Sequence, residues 1–171
     1  PDLNKSQWNA DNVWVKGMYY RIYYQITLCN EFIWQAREEK LTTRGFSEAK
    51  MAEIRTFREE ARFLRALAYY HAMDLFGNVP FVTENDRVGA FEPEQILRAD
   101  LFKYIEDELK AVETTMMDPT AVPYGRASKS AAQALMAKMY LNAEVYLGAG
   151  NDRYSECSTY CEKVMNSGAF A

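Results

Sequence analysis

The sequence predicts an all-α fold in which long helices pack as hairpins. Apolar residues recur every three or four positions along most of the 171 residues, which is the period of a helix. No stretch alternates apolar and polar residues with the period of a strand. The connections between the predicted helices are mostly short, and short connections favour antiparallel neighbours. With 49% hydrophobic and 14% aromatic residues, the chain has enough apolar side chains to form a core.

The two longest predicted helices come first. We expect a helix over about residues 13–39, because one apolar stripe runs along it: Val15, Met18, Ile22, Ile26, Cys29 and Ile33. Ser47 is a suitable N-cap for a second helix over 47–76, and Gly77 can end that helix in a left-handed conformation. The apolar stripe of the second helix consists of Ile54, Phe57, Ala61, Leu64, Ala68, His71 and Leu75.

Three further helices complete the predicted fold. Residues 77–92 are irregular, although 79–83 could run extended. Pro93 suits the first position of a helix over 93–116, because the N–H that proline lacks is unpaired there in any case. Ser128 can cap an alanine-rich helix over 128–147. The last helix spans 153–167, and one of its faces carries Tyr154, Cys157, Cys161 and Val164.

The last two predicted helices have the spacing of a tetratricopeptide hairpin. In such a hairpin a small and an aromatic residue lie about one turn apart on the first helix, as Ala137 and Tyr140 do here. The consensus tryptophan and glycine are absent, and the turn is longer than the standard one. The pattern therefore indicates a helical hairpin of this kind and not a regular repeat array.

Charge and hydropathy exclude some classes of partner. Lys and Arg number 20 and Asp and Glu 24, which gives a net charge of −4 with both signs scattered along the chain. Without a basic surplus or stripe, we expect no nucleic-acid partner. No apolar run is long enough to span a membrane. The chain begins at Pro1 without a signal peptide, so we expect a mature product or an internal part of a longer protein.

The sequence offers no catalytic or metal-binding constellation. Its single histidine is His71, and its three cysteines are Cys29, Cys157 and Cys161. Cys157 and Cys161 lie four residues apart, but a zinc site would need two further ligands, and Cys29 and His71 would have to converge on them by chance. We therefore expect these four residues to lie in the core, and we expect no metal, no cofactor and no enzymatic activity.

Three charged residues lie within an apolar stretch of the second helix. Glu60, Arg62 and Arg65 alternate with Ala61, Phe63 and Leu64. Charges in such a position need partners, and Glu60 and Arg65 are five residues apart, so they do not face each other on one helix. We expect each of the three to pair with a group on another helix and to have a structural role.

The segment from Glu59 to Val82, EEARFLRALAYYHAMDLFGNVPFV, resembles the signature of the SusD/RagB-like family of outer-membrane nutrient-binding lipoproteins. The matching positions include Glu60, Arg62, Phe63, Arg65, Gly77 and Pro80. A second segment, 124–141, resembles the family's Gly-Arg-Ala sequence followed by an alanine-rich helix, with matches at Gly125 and Arg126. The resemblance covers roughly Trp14 to Phe170.

The resemblance implies an architecture and a function. The fold would be a stack of tetratricopeptide-like helix pairs, and residues 1–171 would be the N-terminal helical part of a longer protein. The lipid-bearing cysteine and the C-terminal part would lie outside this chain. The protein would be anchored by its lipid at the cell surface, bind oligosaccharides or other nutrient oligomers without being an enzyme, and deliver them to a SusC-like TonB-dependent transporter.

Three tryptophans are the candidate ligand-binding residues, namely Trp8, Trp14 and Trp34. Aromatic rings stack on the apolar faces of sugars, and the family has no motif that identifies its ligand residues. The alternative is that the tryptophans pack in the core or against the missing part. The alternative function is a tetratricopeptide adaptor that binds a protein or peptide, but generic adaptors do not share the Glu60–Pro80 segment.

Overall fold

A computed structural model of the chain describes residues 4–86, 89 and 91–170. These residues form helices α1 to α7 and one pair of very short strands, β1 and β2. In chain order the elements are α1 (Val13–Gln35), α2 (Glu38–Thr43), α3 (Glu48–Phe76), β1 (Val79–Pro80), β2 (Gln95–Ile96), α4 (Arg98–Glu113), α5 (Lys129–Leu141), α6 (Ala143–Leu147) and α7 (Tyr154–Met165). The predicted helical fold class is confirmed.

The long helices pack in the order in which they occur in the chain. α1 lies on α3, α3 on α4, α4 on α5, and α5 on α7. A continuous apolar core follows this stack from Ile26 on α1 through Tyr69 on α3 and Ile105 on α4 to Tyr160 on α7. The chain therefore has its own core, built from successive helical hairpins.

Several predicted helix ends are wrong. The first helix ends at Gln35, and the short helix α2 follows after a break at Ala36 and Arg37. The third begins at Arg98, so Pro93 is outside it. The reason is long-range: Gln95 and Ile96 pair antiparallel with Pro80 and Val79. The fourth predicted helix is divided at Asn142 into α5 and α6.

Of the predicted caps and turns, those at Ser47 and Gly77 are confirmed. The Ser47 side chain accepts a hydrogen bond from the Lys50 N–H at 3.4 Å and so caps α3 as expected. Gly77 has a φ of +74°, a conformation in which a side chain would be strained. Ser128 immediately precedes α5, but its hydroxyl makes no capping hydrogen bond.

The expected apolar stripe of α3 is partly wrong. Leu64 and Leu75 are 41% and 52% exposed, and His71 is also exposed, so it is not a core residue. Because α3 lies between α1 and α4, it buries two faces instead of one. The buried faces consist largely of alanines and tyrosines: Ala61, Ala66, Ala68, Tyr69, Tyr70 and Ala72.

The cysteines also differ from expectation. Cys29 is buried as predicted, whereas Cys157 is half-buried and Cys161 is exposed, so Cys161 is not a core residue. The residue of α7 that reaches the core is Tyr160, one position away from the predicted face. Burial raises the pKa of the Cys29 thiol to about 11, and this thiol therefore stays protonated at neutral pH.

The buried guanidinium of Arg65 connects four parts of the fold. Arg65 is only 3% exposed, and its Nη1 donates to the side-chain oxygen of Asn30 on α1 at 2.8 Å. The same nitrogen donates to Glu84 in the segment after β1, and Nη2 donates to Glu108 on α4 at 3.0 Å. One side chain therefore holds α1, α3, α4 and the segment after β1 together.

Arg62 and Glu60 also pair with groups outside their own helix. Arg62 Nη2 donates to Glu108 at 2.8 Å, and its Nη1 donates to Glu59 at 2.9 Å. Glu60 accepts a hydrogen bond from Arg126 Nε at 3.2 Å, which ties the segment before α5 to α3. Arg62 and Arg65 thus have the expected partner on another helix, Glu108 on α4, whereas the partner of Glu60 lies in a loop and not on a helix.

The electrostatics of Glu108 follow from these contacts. Burial by itself would raise the pKa of the Glu108 carboxyl, but the hydrogen bonds and positive charges of Arg62 and Arg65 outweigh it. The pKa therefore lies below its ordinary value, and the carboxylate is charged in the folded chain at neutral pH.

We predict that Arg65→Ala lowers the free energy of unfolding by about 3–5 kcal/mol, because it leaves the partly buried carboxylate of Glu84 without its partner and removes one of the two arginines that pair with Glu108. Urea denaturation measures this loss. The matched control is Arg55→Ala, since Arg55 bridges Glu38 and Glu48 at the surface, where ion pairs contribute little. Equal small losses in both variants would contradict the structural role of Arg65.

We also predict that stability falls in acid. A carboxyl whose pKa is lower in the folded state stabilises the fold above its unfolded pKa, about 4.3 for Glu, and loses this contribution as the pH falls through the folded value. The denaturation midpoint should therefore decrease below about pH 4.3. Glu108→Gln should be less stable at neutral pH but show a shallower decrease, and parallel curves for the two proteins would refute the assignment.

Candidate functional site

An aromatic cleft of about 530 Å³ lies at the N-terminal end of α1. The rings of Trp8, Tyr19, Tyr20 and Phe76 line it, and Lys16 is a polar group at its edge. Trp8 and Tyr20 are 53% and 66% exposed, so their rings are available to a ligand. We refer to this site as the aromatic cleft.

The turn before α1 positions Trp8. The Asn9 side chain accepts a hydrogen bond from the Asp11 N–H at 3.0 Å, and the Asn12 N–H donates to the Asn9 carbonyl at 3.1 Å. The Asn12 side chain then caps α1 by accepting from the Trp14 N–H at 3.0 Å. These three bonds fix the path of the chain between Trp8 and the first turn of the helix.

The floor of the cleft is built by α1 and α3 together. Tyr19 and Phe76 meet edge to face, with ring centroids 5.4 Å apart. Phe76 is the last residue of α3, directly before the turn at Gly77. The Tyr23 hydroxyl donates to the Pro80 carbonyl at 2.7 Å, which holds α1 against the segment that follows this turn.

The charge at the cleft is balanced. The Lys16 ammonium pairs with the Asp11 carboxylate at 2.7 Å. The other polar groups near the rings are amides, on Gln7, Asn9 and Asn12. Amides can both donate and accept hydrogen bonds. Aromatic faces with neutral hydrogen-bonding groups beside them suit an uncharged polyhydroxyl ligand.

The structure brings together two of the three predicted tryptophans. A second cleft, of about 740 Å³, is lined by Trp8 and Trp14, so Trp8 lines both clefts. Trp14 is 72% exposed. Trp34 lies about 30 Å away at the other end of α1, given the helical rise. The Lys40 ammonium lies 2.7 Å from its ring centroid and covers one face of the indole.

A third cleft was not predicted. It has a volume of about 620 Å³ and is lined by Phe81 and Phe91 together with the carboxylates Asp86, Glu92, Glu94 and Asp100. Its residues come from the irregular segment between α3 and α4 and from the start of α4. They follow no periodic pattern in the sequence. The pairing of β1 with β2 and the hydrogen bond from the Phe81 N–H to the Glu94 carbonyl, at 3.0 Å, bring them together.

The described residues contain no group of three or more His, Cys, Asp and Glu side chains placed to hold a metal ion. The thiols of Cys157 and Cys161 are neighbours on α7, and burial together with Cys161 raises the pKa of the Cys157 thiol. None of the helices in the described ranges has both the length and the hydropathy to cross a membrane.

Comparison with known proteins identifies the family. Residues 2–141 match the SusD-like family model, which is described as starch-binding and associating with the outer membrane. The starch-binding protein SusD of Bacteroides thetaiotaomicron is 35% identical over 167 residues, which cover 98% of this chain and 28% of that protein.

Solved structures show the same fold. A SusD-like carbohydrate-binding protein of Bacteroides fragilis is 25% identical, with a TM-score of 0.74 over 94% of this chain and 29% of its own. A structure with a xylogluco-oligosaccharide is also 25% identical, with a TM-score of 0.74 over 95% and 32%. A SusD superfamily protein of Parabacteroides distasonis, at 21% identity, has a TM-score of 0.78 over 99% and 35%.

The matches cover almost the whole of this chain but only 28–35% of the length of each relative. Sequence and fold agree, and both include the Glu60–Pro80 segment. The chain belongs to the SusD-like family of starch-binding proteins that associate with the outer membrane.

Proposed function

We propose that this chain is the N-terminal helical part of a longer glycan-binding protein at the outer-membrane surface. The longer polypeptide would carry a lipid anchor and would pass oligosaccharides to a SusC-like TonB-dependent transporter without altering them chemically. Family membership supports the location and the class of ligand. One relative is named for starch binding, and another was solved with a xylogluco-oligosaccharide.

The observation that carries the proposal is the aromatic cleft. A sugar ring has an apolar face of C–H groups and a rim of hydroxyls, so it needs an aromatic platform with hydrogen-bonding groups beside it. Trp8 and Tyr20 supply exposed rings, and Asn9 and Lys16 lie beside them. Stacking on Trp8, with hydroxyls directed to Asn9 and Lys16, is the binding mode that this geometry favours.

Because Trp8 lines both clefts, the site favours an oligosaccharide over a single sugar. One sugar could stack on Trp8 in the aromatic cleft while the next reaches the second cleft beside Trp14. Trp34 is too distant to contact the same short ligand, and Lys40 covers one face of its ring. We therefore assign ligand contact to Trp8 and Trp14 and not to Trp34.

We predict that Trp8→Ala in the longer polypeptide weakens oligosaccharide binding roughly tenfold, because a lost stacking partner costs about 1.4 kcal/mol. Isothermal titration calorimetry with maltoheptaose and with a xyloglucan oligosaccharide measures the change. Trp34→Ala is the matched control and should keep the affinity of the parent protein. Loss of affinity in Trp34→Ala with none in Trp8→Ala would move the site to the other end of α1.

We predict that residues 1–171 alone bind the same oligosaccharides only weakly, with dissociation constants near the millimolar range that a few contacts provide, about −4 kcal/mol. The physical reason is that the rings of Trp8 and Tyr20 are 53% and 66% exposed, so much of a ligand bound on them would remain in solvent. Titration of the 171-residue chain tests this. Micromolar binding would show that the helical part contains the whole site.

A further inference from the structure

Helix α1 is apolar on two opposite faces. Its inner face, with Ile22, Ile26 and Ile33, is buried against α3. Its outer face carries Tyr20, Tyr24 and Leu28, which are 66%, 68% and 53% exposed. Phe32, 39% exposed, continues this series by one more turn. We call Tyr20, Tyr24, Leu28 and Phe32 the outer row.

The outer row has the geometry of a packing surface. Residues four apart stack above one another on a helix, so the four side chains form one ridge about 18 Å long. A helix that faces solvent normally carries polar residues on that side, whereas a helix that is apolar all round belongs in an interior. Although α1 also carries exposed charges such as Arg21 and Glu31, the outer row is therefore the kind of surface that usually packs against another element.

No element in the described part of the chain covers the outer row. α3 packs on the inner face of α1. One edge of α1 is closed by the segment after α3, through the hydrogen bonds from Tyr23 to the Pro80 carbonyl and from Asn30 to the Val82 carbonyl. The outer row points away from both contacts.

The length of the relatives indicates what covers the outer row. This chain matches 28% of the curated relative and 29–35% of the three solved structures described above, so about two thirds or more of each relative lies outside the match. That remainder has to pack against the helical part if the two are to form one protein. The outer row, on the outermost helix of the stack, offers it an apolar surface.

We propose that the outer row is an internal interface, which the remainder of the longer polypeptide covers with an apolar segment. This inference rests on the longer polypeptide proposed above but not on its ligand. The covering segment would also bring hydrogen-bond partners for the hydroxyls of Tyr20 and Tyr24, which make no hydrogen bond to the described side chains. Tyr20 lines the aromatic cleft as well, so the covering segment would reach the edge of the cleft and leave the ring face inside it to the ligand.

Hydroxyl-radical footprinting with mass spectrometry tests this interface residue by residue. The 171-residue chain and the longer polypeptide are oxidised under the same conditions, without ligand. We expect the oxidation rates of Tyr24, Leu28 and Phe32 to fall severalfold in the longer polypeptide. Tyr124, the most exposed tyrosine of the described chain, is the internal reference.

Each alternative occupant gives a different result. Equal rates in the two proteins would overturn the proposal. Protection that appears in the 171-residue chain as its concentration rises would assign the outer row to a second copy. Protection of the longer polypeptide only after maltoheptaose is added would assign it to the ligand. Failure of the longer polypeptide to bind any glycan would refute the proposed function and leave the footprint unaffected.

A substitution provides an independent measurement. Leu28→Glu should lower the Tm of the longer polypeptide by several degrees and leave the Tm of the 171-residue chain unchanged, because only the former buries the new carboxylate. The matched control is Leu141→Glu on α5, where the leucine is 57% exposed and so similar to Leu28. Equal effects of the two substitutions in the longer polypeptide would overturn the proposal.

Discussion

The buried guanidinium of Arg65 is the interaction on which most of this structure depends. A charge that is 3% exposed is tolerated only when acceptors surround it, and Asn30, Glu84 and Glu108 come from three different segments to do so. Apolar packing between helices is non-directional and leaves their register open, whereas a guanidinium bonds in fixed directions. Arg65 therefore sets how α1, α4 and the segment after β1 are placed around α3.

Through α3, the contacts of Arg65 also affect the geometry of the candidate site. The same helix that carries Arg65 ends at Phe76, whose ring is part of the floor of the aromatic cleft. The segment after β1, held by Glu84, also accepts the bond from Asn30, and its Val82 exchanges hydrogen bonds with the buried hydroxyl of Tyr69. Arg65 thus fixes the helices whose ends form the aromatic cleft without lining the cleft itself.

The sequence predicts those structural features that depend only on residues close together in the chain. The Ser47 cap, the turn at Gly77 and the buried stripe of α1 need only local spacing and backbone preference. The structure contains the cap, the turn and the stripe from Ile22 to Ile33, but Met18, which the sequence predicts to belong to the stripe, is 47% exposed. The start of α4 could not be predicted in this way. It is set by a strand pair and by the Asn78 side chain, which accepts a hydrogen bond from the Arg98 N–H at 2.8 Å across 20 residues.

The misplaced face of α3 has a similar origin. Periodicity selects the largest aliphatic residues, Leu64 and Leu75, but a helix between two others buries the small residues that allow close approach.

For the candidate site, the tryptophans could be named from residue type alone. Whether Trp8 shares a cleft with Trp14 or with Trp34 depends on the turn at Asn9 and on the length of α1, so it required the structure.

The placement of the tryptophans also determines which parts of this protein its fluorescence and near-ultraviolet spectra report on. Trp8, Trp14 and Trp34 all lie on the surface along or beside α1, and the core contains no indole. Tryptophan emission therefore senses the two ends of one helix, with an ammonium against the ring at one end and open clefts at the other. The interior instead contains the phenols of Tyr69, Tyr70 and Tyr140, so the near-ultraviolet signals of these three tyrosines follow the core, whereas those of the tryptophans follow the surface.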